Sequence, residues 1–431
     1  MLAARRRRFL EALGPGGVAL LLGARQAVRS ADSPYPFRQD SDFHYLTGFD
    51  HPNAAAVFRT DGGPSFNLFV EPREREAEIW NGFRPGVEGA VRDFGADEAH
   101  PSAELRERLP KLITGAERLF HVLGRDPELD RLIVETCEGL RLRSRLGVLP
   151  PGSIVDPRGV LHEMRLVKEP GELDVMRRAA EVSREAHHAA ALLAHEGVLE
   201  YELEAVLDYT FRRRGARGPA YPSIVGGGAN ATVLHYVQND QKLRDGELVL
   251  VDAGCELEGY ASDVTRTWPV GGRFEGARRA IYEVVLDAQL AALAKVRPGA
   301  TLEEIHDTAV RHLTGGLLEL GLLSGTLEEN LASASFRRYY MHRTSHWLGL
   351  DVHDAGAYVA GGKPRELAPG MVFTVEPGLY VAADDETVEP RWRGIGVRIE
   401  DDVVVVPGGC EILTAAIPKA PDDAEAWVRG A

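Results

Sequence analysis

Short apolar runs alternate with charged, helix-like stretches through the first part of the chain. The apolar runs are GVALLLG, AAAVF, FNLFV and RLFHVLG, and a stretch such as SAELRERLPKLI has the charged spacing of a helix. This alternation predicts an α/β domain, which we place at residues 1–165.

The pattern changes after a stretch rich in proline and glycine, LPPGSIVDPRGVLHEMRLVKEPGEL. A long amphipathic helix is predicted in EPGELDVMRRAAEVSREAHHAAALLA, and further helices in EYELEAVLDYTFRRRG, GARRAIYEVVLDAQLAALAKV and TLEEIHDTAVRHLTGGLLELG. Strands are predicted around residues 249–270 and again up to residue 406. We therefore expect a second domain, residues 166–431, of α+β class, with its polar constellation confined to the strands.

Composition narrows the classes of function. The 431 residues include 50 Lys and Arg against 65 Asp and Glu, and the net charge of −15 disfavours nucleic-acid binding, which depends on clustered cations. Cys137, Cys255 and Cys410 form no CxxC pattern and indicate a reducing compartment. The early apolar run VALLL is too short for a signal peptide, and no segment reaches the ~18 apolar residues that span a bilayer. We expect a cytoplasmic protein with a small or peptidic substrate and no membrane or nucleic-acid partner.

Two aspartates stand out in the stretch VLVDAGCELEGYASDVTRTW, which reads as two strands and a turn. If the turn centres on Leu257 and Glu258, Asp252 faces Asp263 across the hairpin. Two carboxylates side by side among apolar residues repel each other where water is scarce. The pair therefore predicts a cation between them.

Further ligand candidates follow downstream, each in or beside an apolar stretch. They are His342, His346 and His353 in HRTSHWLGLDVHD, Glu376 in MVFTVEPGLY, and Glu400 in the apolar strand IGVRIEDDVVVV, with Arg398 on the same face. His346 and His353 can share one site only if the chain bends between them, and Gly349 is where we expect the bend.

The joint occurrence of four carboxylates and one imidazole predicts a metal centre rather than a set of turn residues. Two divalent ions balance four negative charges, and a pair of metals can hold a bridging hydroxide, orient a carbonyl and stabilise an oxyanion. The predicted chemistry is hydrolysis. Oxygen-rich ligation favours Mn²⁺, with cobalt, iron or zinc as alternatives.

Seven separate motifs resemble the pita-bread metallopeptidase family and, within it, the Xaa-Pro aminopeptidases. The motifs are VRSADSPYPFRQDSDFHYLTGF, AEIWNG, VLHY, LVDAGCELEGYASDVTRTWPV, SHWLGLDVHD, TVEPGLY and GIGVRIEDD. The resemblance implies an α+β chain in which a C-terminal pita-bread catalytic domain follows a smaller α/β N-terminal domain. It further implies a homo-oligomer, either a dimer or a tetramer.

The same resemblance implies a role for each metal ligand. Asp252 would bind one metal, while Asp263 and Glu400 would bridge both. His346 and Glu376 would hold the second metal.

It also implies the groups around the substrate. Glu376 would act as general base and acid, while His235 and His353 would lie beside the substrate and His342 in its pocket. Arg398 would orient the nearby carboxylates.

The implied reaction is release of the first residue from a peptide whose second residue is proline. The proline nitrogen has no N–H, so a dedicated pocket is required. The alternatives are a prolidase, which takes Xaa-Pro dipeptides, and a non-catalytic peptide-binding relative. Trp80 could pack within its own domain or reach a neighbouring active site, and Arg343 departs from the small or neutral residue that the family commonly has there.

Overall fold

The computed structural model describes residues 1–430. The chain forms two compact units, Met1–Met164 and a second that begins at Arg165. In residues 1–430, no helix combines the length and the apolar character needed to cross a bilayer.

The first unit contains one mixed sheet and a separate two-stranded sheet. Its strands are β1 (Gly17–Leu22), β2 (Val28–Ser30), β3 (Ser33–Pro34), β4 (Ala55–Arg59), β5 (Phe66–Val70), β6 (Glu98–Pro101), β7 (Arg118–His121) and β8 (Ser153–Val155). Its helices are α1 (Leu2–Leu13), α2 (Ser41–Thr47), α3 (Arg75–Asn81), α4 (Gly86–Phe94), α5 (Leu105–Ile113) and α6 (Pro127–Leu142), and α7 (Arg158–Leu166) follows them.

Six of these strands form the sheet, in the order β6-β5-β4-β1-β7-β8. β1 runs parallel to β7 and antiparallel to β4, so the apolar run that follows the basic N-terminal segment lies inside the sheet. Leu109 and Ile113 of α5 and Leu129 and Ile133 of α6 pack on this sheet. The four apolar runs of the sequence correspond to the strands β1, β4, β5 and β7.

The second unit contains longer helices and several small antiparallel sheets. Its helices are α8 (Pro170–Leu192), α9 (Glu200–Arg213), α10 (Gly276–Leu293), α11 (Leu302–Glu319), α12 (Leu327–Ser333) and α13 (Pro421–Arg429). Its strands are β9 (Gly218–Pro219), β10 (Ile224–Gly227), β11 (Leu248–Asp252), β12 (Cys255–Leu257), β13 (Tyr260–Ala261), β14 (Thr265–Pro269), β15 (Val359–Ala360), β16 (Lys363–Pro364), β17 (Val372–Val375), β18 (Gly378–Val381), β19 (Ile395–Arg398), β20 (Asp401–Val406) and β21 (Gly409–Ile412).

Three of the small sheets determine where the polar residues lie. They have the strand orders β10-β11-β14, β17-β20-β21 and β18-β19. Behind the β17-β20-β21 sheet is an apolar core in which Val296 and Ile305 from the helical side meet Phe373, Val375 and Val403 of the strands. Ends of strands from all three sheets lie at the candidate site.

The prediction that Glu400 lies within one apolar strand is wrong. β19 ends at Arg398 and pairs with β18, whereas β20 begins at Asp401 and pairs with β17. The chain therefore changes sheets at Ile399 and Glu400. The candidate ligands lie mainly at strand ends and in the connections between strands.

Candidate metal centre

The hairpin that carries the two aspartates is offset from the predicted pairing. Asp252 lies opposite Thr265, and Asp263 is two residues before that position. The offset arises because the turn is formed by Glu258 and Gly259, whose φ angles are +50° and +87°. A two-residue turn with both φ angles positive matches the twist of a hairpin, and glycine adopts such angles without strain. The predicted facing of Asp252 and Asp263 is therefore wrong, although both belong to the same site.

Tyr221 links the two aspartates. Its hydroxyl lies 2.7 Å from Oδ1 of Asp252 and also contacts Oδ1 of Asp263. Burial and the charges of these two carboxylates hold the pKa of Tyr221 well above its ordinary value, so it stays a hydrogen-bond donor. Tyr221 could not be predicted from the sequence, because nothing in the segment GPAYPS indicates that this side chain reaches a hairpin some thirty residues later.

One ligand atom from each of Asp263, His346 and Glu400 lies within 4.8 Å of the other two. Nε2 of His346 is 3.3 Å from Oδ2 of Asp263 and 3.5 Å from Oε1 of Glu376. Because Nδ1 of His346 faces the carbonyl oxygen of Trp347 at 3.0 Å, Nε2 is the nitrogen turned toward the carboxylates. The arrangement presents one imidazole nitrogen and several carboxylate oxygens to a common point.

Arg398 and Thr265 hold the other side of the cluster. Nη2 of Arg398 lies 2.5 Å from Oδ2 of Asp252, and its Nε donates to Oγ1 of Thr265 at 3.0 Å. The Thr265 hydroxyl in turn donates to Oε2 of Glu400 at 2.6 Å. Arg398 thus fixes one carboxylate directly and, through Thr265, is connected to another.

The electrostatics of the cluster favour the binding of a cation. Burial raises the pKa of Glu376 to about 7 and also raises the pKa of Asp252. Burial and the charge of Asp263 together raise the pKa of Glu400 far above its ordinary range. Burial lowers the pKa of His346, but the hydrogen bond that its imidazole donates to Asp263 and the charge of Glu376 outweigh burial and raise this pKa to about 9. Protons would compensate the buried negative charge in the absence of a metal. This donor set, oxygen-rich with one imidazole, fits divalent cations.

The remaining predicted residues line the same cavity, which has a volume of about 480 Å³. His342 contacts the Tyr380 hydroxyl through Nε2 at 2.9 Å, and burial lowers its pKa to about 3, so it is neutral. The His353 ring packs edge-on against that of His346, with centroids 4.4 Å apart. His235 is exposed at the cavity surface.

The chain bends between His346 and His353, as the contact of their rings requires. A Cβ added at Gly349 would lie 2.2 Å from Oδ2 of Asp354 and 2.9 Å from Cε of Lys168, so only glycine fits at this position. Asp354 N donates to the carbonyl oxygen of Trp347 at 2.9 Å and closes the bend.

A buried ion cluster anchors this bend. Oδ2 of Asp354 lies 2.9 Å from Nζ of Lys168, and its Oδ1 lies 2.5 Å from Nη2 of Arg165. The side chains of Lys168 and Asp354 are each only 1% exposed. Arg165 also pairs with Asp351 at 2.7 Å, whose side chain is 39% exposed. No local sequence pattern indicates this cluster, because its two cations are more than 180 residues from its two carboxylates.

Comparison with known proteins agrees with this arrangement. The family model of metallopeptidase family M24 matches residues 174–407, and that of the aminopeptidase P N-terminal domain matches residues 2–121. The chain is 45% identical to the Xaa-Pro aminopeptidase of Escherichia coli over 98% of its own length and 96% of that protein. It is 37% identical to Xaa-Pro aminopeptidase 3 of Mus musculus, with 96% and 82% covered.

Solved structures give the same result. An aminopeptidase of Pseudomonas aeruginosa has a TM-score of 0.97 and 46% identity, covering 100% of this chain and 97% of that one. A zinc-substituted aminopeptidase P of E. coli in complex with product has a TM-score of 0.95 and 44% identity, covering 100% and 98%. The predicted fold, a pita-bread catalytic domain after a smaller N-terminal domain, is confirmed. The chain belongs to metallopeptidase family M24, and within it to the Xaa-Pro aminopeptidases.

Proposed function

We propose that this enzyme uses two divalent metal ions to release the N-terminal residue from peptides with proline in the second position. The observation that carries the proposal is the convergence of Asp263, His346 and Glu400, with Asp252 and Glu376 in the same cavity. The relatives named Xaa-Pro aminopeptidase supply the bond specificity.

The ligand roles that we propose are those that the family resemblance implies, and the contacts of these residues support them. Asp252, at the Arg398 side of the cluster, would bind one ion, while His346 and Glu376, whose atoms approach each other, would bind the second. Asp263 and Glu400 would be ligands to both ions. The four carboxylates of the site would balance the charge of two divalent ions, and the oxygen-rich set favours Mn²⁺. When bound, the ions lower the pKa of a water molecule and polarise the scissile carbonyl.

The chain's own residues handle the proton and the substrate. Glu376 accepts a proton from the attacking water and delivers it to the proline nitrogen of the leaving peptide. His235 and His353, on the cavity wall, donate hydrogen bonds to the developing oxyanion, and the neutral His342 orients the substrate beside Tyr380. Arg398 keeps Asp252 in place through the whole cycle.

An apolar wall of the cavity suits the proline ring. Ile224, Leu234, Val237 and Val352 line it next to the carboxylate cluster. Because a proline nitrogen offers no N–H, recognition must come from the shape and apolar contacts of such a wall.

The experiment compares three substrates at saturating Mn²⁺: Xaa-Pro-Yaa, Xaa-Ala-Yaa and the dipeptide Xaa-Pro. We expect the first to be hydrolysed best, with release of free Xaa measured by chromatography. Faster hydrolysis of the dipeptide would make the chain a prolidase, and equal rates for the proline and alanine tripeptides would contradict proline specificity.

Three further expectations stay predictions: manganese as the metal, a cytoplasmic location and a homo-oligomeric state. Trp80 is 82% exposed, with Ile79 and Phe83 exposed beside it, so it does not pack within its own domain. Its proposed reach into a neighbouring active site also stays a prediction.

A further inference from the structure

Arg343 is an exposed arginine at the junction of two cavities. It lines the cavity of the carboxylate cluster and also a second cavity of about 550 Å³, which shares Ser345, His346 and His353 with the first. It follows His342 directly in the chain. Arg343 is therefore at the candidate site without being part of the buried cluster.

The guanidinium of Arg343 makes no hydrogen bond or ion pair with any residue in the range 1–430. The two other arginines that line these cavities are engaged. Arg398 is paired with Asp252 at 2.5 Å, and Nε of Arg365 donates to the carbonyl oxygen of Ala357 at 2.7 Å. An exposed guanidinium stays hydrated at little cost, so Arg343 is available to an anion that arrives with the substrate.

The charges of a short peptide indicate which anion this is. With its first carbonyl at the carboxylate cluster, the peptide has its ammonium group on one side of the scissile bond and its terminal carboxylate on the other. A guanidinium repels the first group and binds the second, often through two parallel hydrogen bonds. The cavity volumes are in the range of small-ligand sites and accommodate a short peptide.

We propose that Arg343 binds a substrate carboxylate on the C-terminal side of the scissile bond, namely the free C-terminus of a short peptide. Arg343 is then a specificity-determining residue that favours short, free-acid peptides over longer or amidated ones. The inference rests on the proposed Xaa-Pro aminopeptidase activity and deepens it.

The test compares kcat/KM for Xaa-Pro-Ala and its C-terminal amide in the metal-loaded enzyme. We expect the unmodified enzyme to prefer the free acid by about fivefold, the scale of an exposed ion pair. In Arg343→Gln the ratio of acid to amide should fall to about one, and Arg343→Lys should keep part of the preference. Arg337→Gln is the matched control, because Arg337 is an exposed arginine nearby that lines neither cavity, and it should keep the full ratio.

Ionic strength gives a second readout that a structural role would not move. The preference of the unmodified enzyme for the free acid should shrink as salt rises toward about 1 M, where the screening length is about 3 Å. An unchanged ratio of acid to amide in Arg343→Gln would overturn the proposal. Failure of the proposed function would look different, because neither peptide would be hydrolysed.

A second pair of substrates separates the terminal carboxylate from an acidic side chain. Xaa-Pro-Glu-amide and Xaa-Pro-Gln-amide differ only in a side-chain carboxylate. We expect a smaller Arg343-dependent preference here than for the terminal carboxylate. An Arg343-dependent preference for the glutamate peptide alone would overturn the assignment to the C-terminus.

Discussion

Replacing Asp354 by asparagine should destabilise the chain strongly, because this carboxylate is the acceptor for two buried cations. Nζ of Lys168 and Nη2 of Arg165 lie 2.9 Å and 2.5 Å from its two oxygens. An amide of the same shape removes the negative charge and keeps only one oxygen acceptor. Lys168 then stays buried without this compensating charge, while Arg165 loses one carboxylate and keeps its pair with Asp351.

The magnitude follows from burial. Removing one partner of a buried ion pair costs ~3–5 kcal/mol, and because the new amide still accepts one hydrogen bond we expect about 3 kcal/mol. Asp351→Asn is the matched control. Asp351 pairs with the same Arg165, but at 39% exposure its loss should cost less than about 1 kcal/mol.

Urea unfolding of the metal-loaded enzyme, followed by tryptophan fluorescence, measures the difference. With a slope of about 3 kcal/mol per M, Asp354→Asn should lower the midpoint by about 1 M. The value of kcat/KM should also fall by about tenfold or more, because the bend that positions His353 loosens. Equal midpoints for the two asparagine variants would refute the argument from burial.

The contribution of Asp354 to the free energy of unfolding should also depend on pH. Lys168 and Arg165 outweigh burial and hold the pKa of Asp354 below its ordinary value of 3.8. A depressed folded-state pKa contributes stability that is present above the unfolded-state value and is lost as pH falls. The stability gap between the unmodified enzyme and Asp354→Asn should therefore be constant from pH 7 to about pH 5 and shrink below about pH 4.

Five further substitutions test the site and the hairpin. Asp263→Asn and Glu400→Gln should abolish turnover while the circular dichroism spectrum is retained. Asp252→Asn should lower turnover less, because we propose that Asp252 binds a single ion. Near-normal kcat in Asp263→Asn and Glu400→Gln would show that these residues are not shared ligands. Arg398→Met should lower metal affinity or kcat/KM by about 10- to 100-fold, since it removes the group that orients Asp252, and unchanged metal binding and activity would contradict that role. Gly259→Val should lower the free energy of unfolding by about 1–2 kcal/mol because φ is +87° at this residue, and an unchanged urea midpoint would count against the turn geometry.

The sequence predicted most of this architecture where the signal is local. The helix expected in EPGELDVMRRAAEVSREAHHAAALLA is Pro170–Leu192, because its apolar spacing is fixed within a few turns. The five metal-ligand candidates were recognisable because acidic residues and a histidine are unusual beside apolar strands. Their arrival in one cavity was expected only from their joint occurrence.

Other features depend on contacts that no local pattern encodes. The hairpin pairing depends on which two residues form the turn. Shifting the turn by one residue changes the residue opposite Asp252 from Asp263 to Thr265. Tyr221 enters the site from a loop with no periodicity. The pairing of Lys168 with Asp354 requires the complete fold of the second unit, because these residues are distant in sequence.

We propose that one cluster of side chains holds two divalent ions and that hydrolysis depends on them. Elemental analysis of the enzyme reconstituted with Mn²⁺, together with hydrolysis of a Xaa-Pro-Yaa tripeptide before and after chelation, tests this dependence. We expect about two metal ions per chain, loss of activity with chelator and its recovery when Mn²⁺ is returned. Full activity in a chain with almost no bound metal would contradict it.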